Sequence, residues 1–465
     1  MNRISFYSLI LIFNLQFVAN AQVLTLKEAV QTALSNYGTL KAKANYANAS
    51  KALMKASSRE YLPDLNIATQ QDYGTINGQN GPLNASRGFG VASSGPALST
   101  QNWNAAFGAL YIANINWDFF AFGKAKERIK MAQSEMLLNE SDLEQEKFQH
   151  EVRVAAAYLN LIAAQLIRRS QQNNFERTLS LRTVVVARAK NGLNPGVDSS
   201  LANAEVSNAM IALTNAKDFV QQQSNELAQL MGIIAPPNDF ALDTFFIMRV
   251  PKGIYDSLQV KQNDHPVLKY YQNRISLSDE RAKYYHALSY PVFSLFGILQ
   301  GRGSGFEYSY GAQNPNAYSH GYWNGIEPTR GNYLLGISMT WNLTAPWKIQ
   351  QQVIAQQFIS NALHDEYDLA NQRLSNQVIL SDSKIKNAIA NYIEAPAQVK
   401  AASDAYTQKT VMYKNGLSNI VDITQALFTL NRAETDRDIA NNNVWQALLL
   451  KAAAIGDFGI FLNEF

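Results

Sequence analysis

The chain has 465 residues and a net charge of +3, and it is 47% hydrophobic but only 17% charged. Soluble globular chains carry about 25% charged residues, so charge is scarce here without the chain being greasy. The absence of cysteine excludes disulfide scaffolds, thiolate metal sites, cysteine nucleophiles and a lipid-modified N-terminal cysteine. So small a net charge over this length gives no reason to expect nucleic acid as a partner. What remains is a large helical surface buried on itself, or a surface facing lipid.

Residues 1–21 have the three parts of a secretory signal peptide: Arg3, an almost charge-free run from Ile4 to Val18, and the small-residue end Ala19-Asn20-Ala21. Cleavage is expected after Ala21; a membrane anchor is the alternative, for which the run is short. No later stretch is long and apolar enough for a transmembrane helix, so any spanning part must be made of strands.

The rest of the chain contains itself twice. Pro63 and Pro291 lie 228 positions apart, as do Leu40 and Leu268. Further on the offset is 224: Trp117 matches Trp341, Asn191-Gly192-Leu193 matches Asn415-Gly416-Leu417, Val197-Asp198 matches Val421-Asp422, and Gly232 matches Gly456. A register held this long is a tandem duplication, with repeats at 22–235 and 254–456, a Pro-rich linker at 236–253 and a tail at 457–465. The change of offset places a loop four residues longer in the first repeat, between Pro63 and Trp117.

Each repeat opens with a helix, Leu26 to Tyr61 and Ile254 to Tyr290, ended by a proline. Forward strands are predicted at 64–73 and 292–301, then Gly/Asn/Ser-rich loops at 75–104 and 304–330, then return strands at 105–120 and 331–344. The return strands alternate cleanly: Tyr111, Ile115 and Trp117 against Asn114, Asn116 and Asp118, and Tyr333, Ile337 and Trp341 against Asn332, Ser338 and Asn342. Very long helices follow at 124–191 and 347–415, interrupted only by Pro396; the first would span about 100 Å. Gly192 and Gly416 stop them as C-caps. Helix resumes at Asp198 and Asp422 and runs through 198–232 and 422–456. Its 4-3 apolar seam, Ala202, Val206, Ala209, Leu213, Ala216 and Val220 in the first repeat, is coiled-coil spacing with enough alanine for close helix contact. In the second repeat Arg437 and Lys451 break the seam.

Four strands of this length suit tilted strands of an outer membrane, and five of the six tryptophans (103, 117, 323, 341 and 347) lie in or beside them. Four strands cannot close a barrel, and open edges are not tolerated in lipid, so several chains must pool theirs. The plainer reading is a small soluble sheet beside a helical bundle.

The duplication, the helix–Pro–strand starts and the two helix–Gly–x5–Asp–helix hairpins together make the mature chain resemble the TolC-like outer-membrane efflux proteins. The resemblance implies a mainly α fold with transmembrane β: a homotrimer whose four strands per chain form one twelve-stranded outer-membrane β-barrel, with long-helix hairpins forming a periplasmic α-barrel. Residues 233–262 and the tail would form an equatorial belt. It implies an outer-membrane exit duct of a Gram-negative bacterium, working with a periplasmic adaptor and an inner-membrane transporter in a tripartite pump or type I secretion system. Lipid would be touched by the strands alone, without a lipid anchor.

A duct needs no bond chemistry. The five histidines are scattered, without zinc spacing, and neither a GxxxxGK loop nor a GxSxG elbow occurs; no enzyme activity, cofactor or metal is expected. The resemblance places Asp198, Asp422 and Tyr413 at the periplasmic entrance, and Gly192, Leu193, Gly416 and Leu417 at the hairpin tips where an adaptor docks. A threefold ring of carboxylates would attract cations and raise their pKa values. Helix N-capping is the plainer role of both aspartates. Tyr413 matches a latching tyrosine, while Ser418 and Gln425 stand where a basic latch and a second acidic ring are expected. Trp117, Trp341 and Trp347 are membrane-interface aromatics. A periplasmic coiled-coil adaptor or scaffold and a secreted enzyme are the competing readings.

Overall fold

The computed structural model describes residues 23–78, 95–236, 239–252 and 264–465. The signal peptide, most of the loop 75–104 and the start expected for the second opening helix, at 254–263, lie outside the described residues. In chain order the elements are α1 (Leu26–Asn36), α2 (Gly38–Arg59), β1 (Asp64–Thr75), β2 (Ala105–Phe120), α3 (Lys124–Lys190), α4 (Gly196–Met231), a 3-10 turn (Phe245–Met248), α5 (Pro266–Ala287), β3 (Val292–Ser304), α6 (Tyr322–Ile326), β4 (Arg330–Thr340), α7 (Ala345–Lys414), α8 (Ile420–Ile455) and α9 (Gly459–Leu462). Among the described residues no helix is long and apolar enough to cross a membrane.

Contacts divide the chain into two units. One holds residues up to Ala47, Asn139–Gln272 and Asp365–Phe465. Here α1 starts on a capping box, with Thr25 Oγ1 accepting from Glu28 N–H and Glu28 Oε2 from Thr25 N–H. The opening helix expected over Leu26 to Tyr61 breaks at Tyr37, whose backbone is extended. Its ring stacks on His150 at 3.9 Å between centroids, and the next residue, Gly38, resists the break least. The apolar seam of α3 is buried from Phe148 to Leu166, alongside Leu26, Val30, Val220 and Leu227 of α1 and α4. Trp445 of α8 is fully buried and gathers Phe246, Phe461 and Phe465 around it. Of the segments expected to form an equatorial belt, residues 233–236, 239–252 and 457–465 are described, and they include the 3-10 turn and the tail helix α9 in this aromatic cluster.

Three further expectations change. Pro396 does not interrupt α7, which runs through it; the proline is exposed while Ala395 and Ala402 are buried, so packing of the opposite face carries the axis past it. Helices α4 and α8 begin at Gly196 and Ile420, two residues before the aspartates expected to start them. Lys451, which broke the seam, is buried and pairs with Asp382 at 3.4 Å.

The other unit holds Asn48–Leu138 and Asn273–His364. Its sheet is antiparallel in the order β1-β2-β3-β4, leaving β1 and β4 as edges. Asp64 pairs with Asn116 and Val292 with Thr340, so the β1–β2 and β3–β4 hairpins have the same register under the two offsets of the duplication. Trp117 Nε1–H donates to Tyr61 O at 2.9 Å and Trp341 Nε1–H to Ser289 O at 3.1 Å, again equivalent positions. The forward strands run further than expected, and β4 stops at Thr340, where α7 begins soon after at Ala345. The loop expected over 304–330 contains α6.

Candidate functional site

Pairing fixes which side chains share a face of the sheet. Asp72 opposes Gly108, Gly108 opposes Ser304, and Arg302 opposes Arg330, so these lie on the face of the even-numbered residues. Asp64, Asp118, Arg302 and Arg330 join Asp72 there, and they are all the Asp, Glu, Lys and Arg residues of the four strands. Asp118 accepts from Ser294 Oγ–H on the same face, beside the bulge between Trp117 and Phe120. The odd-numbered face carries no such charge. It presents Leu65 and Ile67, then Ile115 and Trp117, Leu295 and Leu299, and Tyr333, Leu335 and Ile337. Ile67 is 80% exposed and Leu335 75%, an extended apolar surface that water alone would not tolerate. Alternation with one charged and one uncharged face is the pattern of a wall between water and hydrocarbon.

Trp117 and Trp341 lie at the proline end of the strands with their N–H groups bonded, and Trp347, in the first turn of α7, is 69% exposed. Trp117 and Trp341 thus each offer an apolar body with a satisfied polar edge.

At the hairpin turns, Gly192 and Gly416 are left-handed, at φ 72° and 78°. Gly192 N–H bonds Ala189 O and Leu193 N–H bonds Arg188 O; Gly416 and Leu417 repeat this on Tyr413 O and Met412 O. Both ends are Schellman turns. Open space surrounds Gly192, so the positive φ alone selects glycine there. Leu193 and Leu417 are 66% and 71% exposed beside exposed Val197 and Val421.

Neither aspartate is an N-cap. Asp198 and Asp422 lie in the first turns of α4 and α8, where a carboxylate favours the helix dipole. Pro195 occupies the cap of α4, and Asn419 caps α8 by accepting from Asp422 N–H at 2.8 Å. The first aspartate accepts from Asn194 Nδ2–H at 2.8 Å, and the same amide donates to Tyr413 Oη at 3.2 Å. Asp422 is held on its own hairpin by Lys409 at 3.0 Å and Ser418 Oγ–H at 3.1 Å. Those hydrogen bonds hold its carboxyl below the usual range, the reverse of what crowded like charges would do. Tyr413 is buried, and burial followed by the Asp198 charge raises its phenol pKa.

The residue that sequence reasoning missed is Arg188. Its Nε–H donates to Asn194 Oδ1 at 2.9 Å, one guanidinium N–H reaches Lys414 O at 2.6 Å, and the cation lies 5.6 Å from the Tyr413 ring centre. It therefore ties the first hairpin to the end of α7. Further along, Arg177 grips Glu434 with two bonds of 2.9 and 2.6 Å. Asp198 and Tyr413 are brought together; Asp422 belongs to a separate network. Among the described residues no three or more histidines or acids converge on a possible metal position.

This geometry has recognisable counterparts. The family model described as "Outer membrane efflux protein" matches residues 29–233. Over that stretch, under half of the chain, the sequence is similar to the outer membrane efflux protein family. Solved structures similar in fold along 93% of the chain include VceC from Vibrio cholerae (14% identity, TM-score 0.71, 96% of that chain covered). Others are the CmeC outer membrane channel of Campylobacter jejuni (13%, 0.72, 85%) and the MtrE outer membrane channel of Neisseria gonorrhoeae, solved in its open state (15%, 0.70, 89%). No curated protein matches by sequence. Family members are efflux ducts rather than enzymes, and the mostly helical fold with one small antiparallel sheet agrees with these channels.

Proposed function

We infer that this protein is an outer-membrane efflux duct, passing substrate outward without transforming it. The observation that carries the reading is the sorting of every strand charge onto one face of a sheet whose outer strands have no further strand partner among the described residues. Edges and an uncharged face of this kind are stable in lipid only when further copies complete the wall. Three copies would give twelve strands, above the minimum of about eight for a closed barrel. The charged face then lines the pore. A soluble adaptor would have no use for the uncharged face.

The helical hairpins would form the periplasmic tunnel, with Gly192, Leu193, Gly416 and Leu417 as the docking tips for a periplasmic adaptor. The exposed leucines supply apolar contact there. Arg188, Asn194, Asp198 and Tyr413 would latch the entrance, and an inner-membrane transporter would supply energy. Asp198 and Asp422 would give the entrance its preference for cations.

Single-channel recording on the purified protein in planar bilayers tests the duct directly. A conducting oligomer is expected; a soluble monomer in the periplasmic fraction refutes the reading. For the entrance, Asp198→Ala with Asp422→Ala should lower cation preference, and unchanged reversal potentials across a salt gradient would remove that role.

A further inference from the structure

The uncharged face is bare along most of its height but covered at the end away from the prolines. Gly303, Tyr111 and Phe107 belong to this face by register, and α6 lies over them. Tyr111 Oη–H donates to Ile326 O at 3.1 Å, and Tyr322 Oη–H to Gln71 Oε1 at 2.9 Å. The Tyr322 ring meets Phe107 edge-on at 5.2 Å. The approach is close enough to require glycine: a Cβ on Gly325 would stand 2.4 Å from that of Phe107, and one on Gly303 2.7 Å from Gly325 O. Ile326 is 6% exposed in this packing, whereas Trp323, on the same helix, is 73% exposed.

We propose that α6 is part of the extracellular half of the aromatic belt: it packs on the outside of the wall and sets Trp323 among the headgroups of the outer leaflet. The inference rests on reading the uncharged face as lipid-facing. Two observations carry it further. First, the bare band below α6, from Tyr333 to Trp341 on the β4 side, is about 20 Å high for tilted strands. That is close to the apolar height of an outer-membrane barrel, so α6 stands where hydrocarbon gives way to headgroups. Second, Trp117 and Trp341 mark only the proline end, whereas barrel walls carry aromatics at both interfaces. At the other end the uncharged face carries exposed Tyr73 and Tyr333, and Trp323, beside Tyr322, joins them. A wet interface also suits the polar contacts that hold α6, since Tyr111, Tyr322 and Gln71 satisfy one another before reaching hydrocarbon.

Because the chain has no cysteine, single nitroxide labels report position without background. Trp323→Cys, Ile337→Cys and Ser338→Cys would each be labelled in the purified full-length oligomer. Reconstitution uses phosphatidylcholine–phosphatidylglycerol vesicles, and accessibility is read to oxygen against a water-soluble nickel chelate. The oxygen-to-nickel ratio should be highest at 337, lowest at 338 and intermediate at 323. A ratio at 323 equal to that at 338 overturns the inference and points to a water-exposed loop free for a soluble partner. Equality with 337 overturns the headgroup placement. If 337 and 338 do not differ, the lipid-facing reading itself fails, a distinguishable result. Gly325→Val added to Trp323→Cys should lower the ratio at 323 to that at 338; an unchanged ratio overturns α6 packing as its cause.

Discussion

Ile337 and Ser338 are consecutive in β4, yet the wall assigns them to opposite solvents. Ile337 pairs with Leu295 on the uncharged face, midway between Tyr333 and Trp341, and is 67% exposed. A lysine there must leave its ammonium in hydrocarbon, at a cost of about 2–4 kcal/mol per chain for a charge at the bilayer midplane. In a trimer the cost recurs in each copy, about 6–12 kcal/mol, comparable with the whole stability of a typical domain. Ser338 pairs with Ser294 on the face that carries the charges. Ile337→Lys is expected to abolish refolding into lipid vesicles, followed by tryptophan fluorescence across a urea series, while Ser338→Lys stays within about 0.5 kcal/mol of the parent. Equal losses for the two variants, or a larger loss at 338, would refute the assignment of faces.

Other expectations follow from the helical unit. Arg188→Ala removes two charge-assisted hydrogen bonds and the stacking over Tyr413, together about 2 kcal/mol or more. If the latch holds the entrance shut, single-channel records should show an open fraction raised about 30-fold. The lowered carboxyl pKa of Asp422 means its bonds to Lys409 and Ser418 are complete above the unfolded value of about 3.9 and are lost as pH falls through the lower folded one. Conductance should therefore change in that acid range in the parent and not in Asp422→Asn. Burial lowers the pKa of His150 and of His265, so the unfolded chain takes up protons first. Stability should fall as pH drops below about 6.5, seen as a falling melting temperature, and His150→Phe should flatten part of that slope. Gly192→Ala, strained by its positive φ, should cost about 1–2 kcal/mol in denaturant melts although it touches nothing.

How far the chain could be read before folding depended on the range of each interaction. The return strand of the first repeat was legible because Tyr111, Ile115 and Trp117 alternate with Asn114, Asn116 and Asp118. The forward strands were less so, since Phe296 and Ile298 place apolar side chains on the charged face. Arg188 reads locally as one more basic residue in a helix's last turn; nothing nearby announces Tyr413, more than two hundred positions away. The aspartates were legible as tip residues, but their place relative to the cap was not, because Pro195 and Asn419 moved each helix start upstream. Five-residue α6, rich in aromatics and glycine, has no periodicity to betray it.

What the sequence by itself determined is the repeated register at offsets of 228 and 224, the order of the strands and long helices, the two glycine turns and the scarcity of charge. Each rests on local chemistry: a repeated register, a side-chain period, or a backbone angle only glycine adopts freely. The tertiary structure alone decided which face each scarce charge takes, what Arg188 holds, and where α6 lies. Those outcomes depend on strand register and on contacts between distant segments, and shifting a strand by a single residue would reverse every face.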